Sequence, residues 1–365
     1  MSKKRGRFIG NIWFLLVAIF VILGAVSFSV QASGKKGQTI AGDYAYEEAY
    51  DGIALIEYRG PDTAHVVIPG KLDGKIVTEI QPGIFKNGAS IKRLTVEEGV
   101  REIFGGAFET CVKLEEINLP STVVDIEMHD LTGFDGCKSL KRITVEKENP
   151  QYYSQDGVLF SKKTKSLFYY PAGKRKKTYR VPEGVKAIGI FGENPYLEKI
   201  ILPRSARILF HGCFMRPYNL KNVVASDGIK KLEGADHFGF TGKVKVTAYP
   251  NTFLWKYAKK EGIPYQNRSV KKPTSVKVKR EKQGIRINWD KNEDASGYVI
   301  YRSEEKKGNY RRVKQIKKAS KGTWMDKDAQ KGQTYFYKVR SYRIVAKKRL
   351  YSKFSKVTAA KPLLK

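Results

Sequence analysis

Between residues 80 and 232 the apolar positions recur along the chain with a spacing near 23. Ile80, Ile103 and Ile126 form one column, continued by Ile188, Ile208 and Leu232. Phe85 and Phe108 form a second, with Phe134 displaced by a three-residue insertion and Phe191, Phe214 and Phe238 further on. A third runs through Ile91, Leu114, Leu140, Leu197 and Leu220, and a fourth through Leu94, Ile117, Ile143, Ile200 and Val223. A unit this short cannot bury its own apolar face, so the columns predict a stack of rungs sharing one core. The triplets Leu94-Thr95-Val96, Ile117-Asn118-Leu119, Ile143-Thr144-Val145 and Ile200-Ile201-Leu202 alternate as short strands do, and they predict parallel pairing from rung to rung.

The stretch from Ile103 to Pro120 reads I-x-x-x-A-F-x-x-C-x-x-L-x-x-I-x-L-P. It resembles the BspA-type leucine-rich repeats of bacterial surface proteins. The steps Ile68-Pro69, Leu119-Pro120, Val181-Pro182 and Leu202-Pro203 fit the same pattern, and Pro250–Tyr265 is similar to the way such arrays end. The resemblance covers residues 44–266 and implies a solenoid used for binding, in a family associated with extracellular matrix proteins. Its departure is the interval Glu146–Val185, where a hairpin-like pattern separates two repeats.

After a basic connector at 267–271 the periodicity changes. Alternating runs at Val276–Arg280, Ile285–Trp289, Tyr298–Arg302, Tyr310–Ile316, Thr334–Tyr342 and Tyr351–Val357 are separated by turn signals. About seven such strands predict an antiparallel β-sandwich over 272–363, with Trp289 filling the space between sheets. Gly332–Val339 resembles a tyrosine corner, and the segment as a whole is similar to a fibronectin type III domain. The expected fold class is therefore mainly β: a leucine-rich-repeat solenoid of stacked parallel strands followed by a fibronectin type III-like sandwich.

The N-terminus changes the compartment. Lys3, Lys4, Arg5 and Arg7 precede an apolar run from Ile12 to Val26, and small residues at Val30 and Ala32 follow. This predicts a secretory signal peptide over 1–32, cleaved after Ala32, then a linker at 33–43. No Cys follows to carry a lipid, no second apolar segment appears, and no sorting motif is seen after Lys356. A secreted or surface-associated chain with no membrane span after cleavage is expected, although the apolar run approaches the ~20 residues of an uncleaved anchor.

Charge changes the picture again. The chain carries 69 Lys and Arg against 36 Asp and Glu, for a formal net charge of +33. Residues 267–365 hold 30 basic and 8 acidic side chains, so the excess concentrates in the sandwich. That asymmetry predicts an anionic partner. In an exported chain this is a wall polymer, acidic glycan or lipid headgroup, with no nucleic acid expected.

Chemistry is sparse. His65, His129, His211 and His237 have no ligand partners at metal spacing; His211 and Cys213 alone sit two apart. The nucleophile elbow, phosphate loop and dinucleotide fingerprint are missing. Cys111 and Cys137 occupy equivalent repeat positions and read as a buried small-residue column. Glu97-Glu98, Glu115-Glu116 and Glu304-Glu305 read as solvated surface charge rather than as a catalytic pair. The chain is read as a non-enzyme without cofactor or metal.

Two surfaces are predicted to bind. Outward strand residues Arg93, Thr95, Glu116, Asn118, Arg142, Thr144, Lys199, Ile201, Asn222 and Val224 form a stripe across the rungs, for a host or neighbouring-cell protein or glycan. On the sandwich, Lys279, Arg286, Arg311, Arg312, Lys338, Arg340, Lys347, Lys348 and Arg349 are placed on outward faces to hold an anionic wall polymer without a covalent bond. A wider set of sandwich cations, Arg343 among them, is read the same way. The insertion's Tyr152, Tyr153, Phe160, Phe168, Tyr169, Tyr170 and Tyr179, with Lys174–Lys177, form a third candidate. The leading expectation is an adhesion or binding protein; the alternative is a secreted carbohydrate-acting accessory protein or enzyme with a type III spacer.

Overall fold

The computed structural model describes residues 38–127, 133–234, 243–330 and 332–360. The export signal, the first residues of the 33–43 linker, His129, His237 and Phe238 lie outside the described residues. Among the described residues the chain is almost wholly β, in a parallel-stranded solenoid followed by an antiparallel sandwich.

The alternation in the sequence sets the rungs. Arg93–Val96 runs exposed, buried, half-buried, buried, and Glu116–Leu119 keeps the same in-and-out order. Parallel hydrogen bonds bring Leu94 opposite Ile117 and Ile117 opposite Ile143, so like side chains stack on the inner face. Each rung then turns and gives a second short strand, such as Glu102–Ile103, to another sheet, where Ile80, Ile103 and Ile126 are in register. Tight turns close the remaining side, with Cys111 N–H donating to Phe108 O at 3.0 Å and Leu114 N–H to Cys111 O at 3.0 Å. The third and fourth columns are buried throughout. Each such Leu, Ile or Val taken out of water contributes about 1.5–3 kcal/mol.

The first column needs one correction. In the second half the partner of Ile188 is Leu209, not Ile208, and Leu209 pairs on with Leu232. Leu209 is fully buried while Ile208 is half exposed, because a one-residue slip turns a strand residue to the opposite face.

The aromatic column is longer than the repeats suggested. Tyr44, Tyr58, Phe85, Phe108, Phe134 and Tyr169 follow one another at centroid distances from 5.2 to 6.4 Å. Tyr169 belongs to the insertion. Its strands Tyr152–Gln155, Val158–Ser161 and Ser166–Tyr170 pair antiparallel, and the last then pairs parallel with Ala187–Phe191. The hairpin stands as a partition between two cores: Leu159 and Tyr169 pack into the first, while Phe160, Leu167 and Tyr170 pack into the second.

Buried asparagines tie rungs together on either side of this partition. Asn149 donates to Pro120 O and Val123 O and accepts from Gln151 and Tyr152 N–H. Asn194 donates to Pro171 O and Lys174 O and accepts from Tyr196 and Leu197 N–H. The solenoid's far end is covered by the helix Phe253–Lys260, which buries Leu254 and Ala258. Gly262, at φ +66°, ends the helix, and Ile263 N–H reaches back to Ala258 O.

The C-terminal sheets have three and five strands, antiparallel throughout. Trp289 is buried between them, 5.2 Å from the Tyr298 ring. The strand Thr323–Asp326 was not expected from the pattern. Conversely, the expected strand Tyr351–Val357 divides into Lys348–Tyr351 and Thr358–Ala360 with irregular chain between. There the Ser352 and Ser355 hydroxyls accept from Ser341 and Val339 N–H, so side chains replace backbone carbonyls in the ladder. Within the segment read as a tyrosine corner, Tyr337 OH donates to the buried Asp326 carboxylate at 2.8 Å.

Candidate ligand-binding site

The predicted outward residues fall on two panels rather than one stripe. Arg93, Glu116 and Arg142 stand side by side on a four-stranded parallel sheet, as do Thr95, Asn118 and Thr144. His65 and Val67 extend both rows by one rung, which the repeat alignment missed because the 64–68 segment precedes the recognisable columns. His65 Nε2 lies 3.1 Å from Thr95 Oγ1, and Thr144 bonds to Asn118 Oδ1. Arg142 and Glu116 approach to 3.7 Å. Lys199, Ile201, Asn222 and Val224 lie instead on a separate five-stranded sheet, flanked by Thr178–Arg180 and Lys245–Ala248.

The insertion causes the break. Ile143 N–H bonds to Gly157 O at 3.1 Å and Ser154 Oγ to Ile143 O at 2.5 Å, so the hairpin closes the edge that the next rung would occupy. Its aromatics serve this purpose. Tyr152, Phe160, Tyr169, Tyr170 and Tyr179 are buried, Phe168 packs against Tyr152, and Tyr153 stacks on Phe160 at 5.1 Å. All but the exposed Tyr153 and the half-buried Phe168 are core.

The insertion's basic run has a different fate. Lys174, Arg175 and Lys176 join Lys141 and Arg142 around an open cleft at the junction of the two panels, with Glu116 and Asp156 as the lining carboxylates. Lys174 is half-buried and donates to Lys141 O at 3.4 Å and to Asp156 O. Burial, with Lys176 and Arg142 nearby, pushes its ammonium below the ordinary lysine range, against the opposing pull of Asp156. Arg175 lies over the Tyr196 ring at 5.6 Å.

On the sandwich the nine predicted cations sort into three settings. Lys279, Arg311, Arg312, Lys347, Lys348 and Arg349 are exposed, and none forms an ion pair among the described residues. Arg286 is engaged by Glu281 through two bonds of 2.7 and 2.9 Å. Lys338 and Arg340 are half-buried between rings. Lys338 Nζ lies 4.0 Å from the Tyr310 centroid and 4.3 Å from that of Phe354; Arg340 lies 4.0 Å from Tyr351 and 5.0 Å from Phe354. Ring and cation alternate along this face, each contact contributing about 0.5–2 kcal/mol. Arg343 is buried, contrary to its placement on the basic surface.

The remaining polar chemistry is structural. Cys111, Cys137 and Cys213 are free and buried, and burial pushes the Cys111 thiol up to about 12. His211 is exposed and Cys213 buried, so the spacing of two does not converge. Glu97 accepts from Gly70 N–H, and Glu98 from Ser121 and Thr122, which fastens one rung to the next. No group of three or more potential metal ligands occurs among the described residues. No described helix is long and apolar enough to cross a membrane.

No curated protein sequence matches the chain. Among solved structures, a Treponema (T. pallidum) leucine-rich-repeat protein is 22% identical, over 63% of this chain and 98% of its own, with a TM-score of 0.37. A leucine-rich-repeat protein from Eubacterium ventriosum is 17% identical, over 59% and 72%, also at 0.37. A Fn3-like protein from Clostridium thermocellum is 17% identical over 27% of this chain and 97% of its own, at 0.23. Residues 71–168 match the family described as BspA type Leucine rich repeat region, in six copies.

Proposed function

We propose that this chain is a secreted or cell-surface binding protein, in which the solenoid meets a host or neighbouring-cell macromolecule and the sandwich attaches noncovalently to an anionic wall polymer or glycan. In this reading the solenoid spans 44–266, the connector 267–271 and a fibronectin type III-like domain 272–363, with an export signal removed at 1–32. No enzymatic step is assigned to it. A catalytic site needs unlike groups converging on one point, whereas these rungs repeat like groups along a line.

The observation that carries the reading is the group Arg311, Arg312, Lys347, Lys348 and Arg349: exposed, and without an ion pair among the described residues. Near an anionic surface each such charge contributes on the order of 1 kcal/mol at physiological salt. Purified Gram-positive cell walls test it by sedimentation. The full chain is expected to pellet with the walls at low salt and to be released at high salt. A chain that stays in the supernatant at low salt contradicts the proposal.

A further inference from the structure

The sandwich is not the basic feature with the most developed shape. Where the hairpin interrupts the solenoid, Lys141, Arg142, Lys174, Arg175 and Lys176 surround a cleft of roughly 750 Å³ whose lining holds only Glu116 and Asp156 as carboxylates. Three of the cations already have a carboxylate neighbour: Lys141 has Glu115 at 2.9 Å, Arg142 has Glu116 at 3.7 Å, and Lys176 has Asp156 at 3.6 Å. Among the described residues Lys174 and Arg175 form no ion pair. The loop therefore sets two cations side by side without a direct carboxylate partner, Lys174 half-buried with two backbone carbonyls as its acceptors and Arg175 exposed, and that local excess of positive charge favours an anion.

The fold keeps that arrangement in place. Asn194 donates to Lys174 O at 3.0 Å while its Oδ1 accepts from Tyr196 N–H at 2.9 Å. One buried amide thus fixes the loop bearing Lys174 to the rung bearing Tyr196, on which Arg175 rests. Gly173 N–H bonds to Leu140 O at 2.7 Å, which holds the loop down beside Lys141. A side chain at Gly173 would meet Ser139 O at 2.2 Å, so only glycine permits this approach.

The shape and chemistry select among anionic ligands. The edge of Arg142–Val145 is already closed by the hairpin, so a peptide has no strand edge there to extend. Recognition must come from side chains. A guanidinium offers paired donors to the oxygens of a phosphate or sulfate, and the adjacent ammonium adds a point charge. Beside the cleft, the in-register amide and hydroxyls of Asn118, Thr95 and Thr144 offer partners for sugar hydroxyls. We infer that this cleft, centred on Lys174 and Arg175, binds a phosphate or sulfate ester carried on a polysaccharide, whose chain continues over the Thr95–Asn118–Thr144 row. The inference rests on the reading of the solenoid as the ligand-binding part.

The test uses the full chain carrying Gln at Arg311, Arg312, Lys347, Lys348 and Arg349, so that the sandwich does not mask the cleft. The probe is a fluorescent heparin-derived oligosaccharide, read by anisotropy. Lys174→Gln with Arg175→Gln is expected to weaken binding about ten-fold or more. Lys163→Gln with Lys186→Gln removes the same charge from exposed positions elsewhere on the solenoid and is expected to change it little. Inorganic phosphate and inorganic sulfate, as competitors, tell which ester is preferred. Equal weakening in both double variants overturns the cleft and leaves the solenoid reading standing. Displacement by poly-glutamate as effective per charge as by the oligosaccharide also overturns it, in favour of an acidic peptide. No binding of the oligosaccharide to the parent chain overturns the cleft and leaves the solenoid reading standing.

Discussion

Arg343 of the sandwich forms an ion pair with Asp227 of the solenoid, and its side chain is only 3% exposed. The same guanidinium lies 5.1 Å from the centroid of Tyr249, and Arg268 approaches that ring at 5.0 Å. Arg268 in turn pairs with Asp294, which lies 3.9 Å from Arg343. Tyr249, Val270 and Val345 form a small apolar cluster beneath these charges. The connector is therefore packed between the two parts and does not act as a loose tether.

Arg343→Ala is expected to remove this pair together with the cover over Tyr249. Breaking a buried pair costs about 3–5 kcal/mol, and the partial exposure of Asp227 reduces that to about 2–3. Urea unfolding should then resolve two transitions in place of one. A single transition at the parental midpoint would show that the junction carries no stability.

The asparagines at the partition give a second expectation. Asn149→Leu or Asn194→Leu strands two backbone carbonyls and two N–H groups in a buried setting, since each amide satisfies four such groups. A loss of about 2–4 kcal/mol is expected from denaturant unfolding. Asn194→Leu should also weaken oligosaccharide binding, because Lys174 and Tyr196 lose their shared anchor. Asn149→Leu should not.

Gly88 occupies the rung position of Cys111, and a Cβ built there would lie 2.7 Å from Cys111 Sγ. Gly88→Ala is expected to cost about 1–3 kcal/mol through overpacking. Most of that cost should disappear in a Cys111→Ala background, so a double-mutant cycle on thermal unfolding reads the contact directly.

Acidic side chains Glu79, Glu102 and Asp125 line up on three successive rungs. Burial raises the Glu79 carboxyl, assisted by Glu102, Asp51 and Glu47 and opposed by a hydrogen bond from Gln81. Burial also raises Glu102, assisted by Asp125 and Asp51 and opposed by Arg101. A carboxyl raised by folding penalises the native state wherever both states are ionised, and the penalty fades as pH falls through the folded pKa. Glu79→Gln with Glu102→Gln should therefore raise Tm at about pH 7, and the gain should shrink toward about pH 5. A gain that grows on acidification contradicts the assignment.

Much of the architecture was legible in the sequence because repetition multiplies a weak signal. One buried Leu94 says little, but Leu94, Ile117 and Ile143 in register specify a strand face. The signal failed where that averaging stopped. Ile208 and Leu209 are both apolar neighbours, so spacing alone does not choose the inward one. The division into two panels depends on the hairpin closing an edge, a tertiary event that no repeat position encodes. On the sandwich, alternation placed Lys338 and Arg340 on the outer face. Their burial there follows from Phe354, set between them by the irregular chain around Ser352 and Ser355, and single-strand periodicity does not register such a crossing. Asn149 and Asn194 each occur in a Glu-Asn-Pro triplet, a recurrence that would have marked them.

The central claim is a division of labour, with attachment assigned to the sandwich and recognition to the solenoid. It is tested most directly by sedimenting three full-length proteins with purified cell walls across a salt series. They are the parent chain, the chain with Gln at Arg311, Arg312, Lys347, Lys348 and Arg349, and the chain with Lys174→Gln and Arg175→Gln. The account predicts salt-reversible pelleting of the parent and of the cleft variant, and a larger loss of pelleting in the sandwich variant than in the cleft variant. Pelleting of the sandwich variant at the parental level, or its loss in the cleft variant alone, would contradict it.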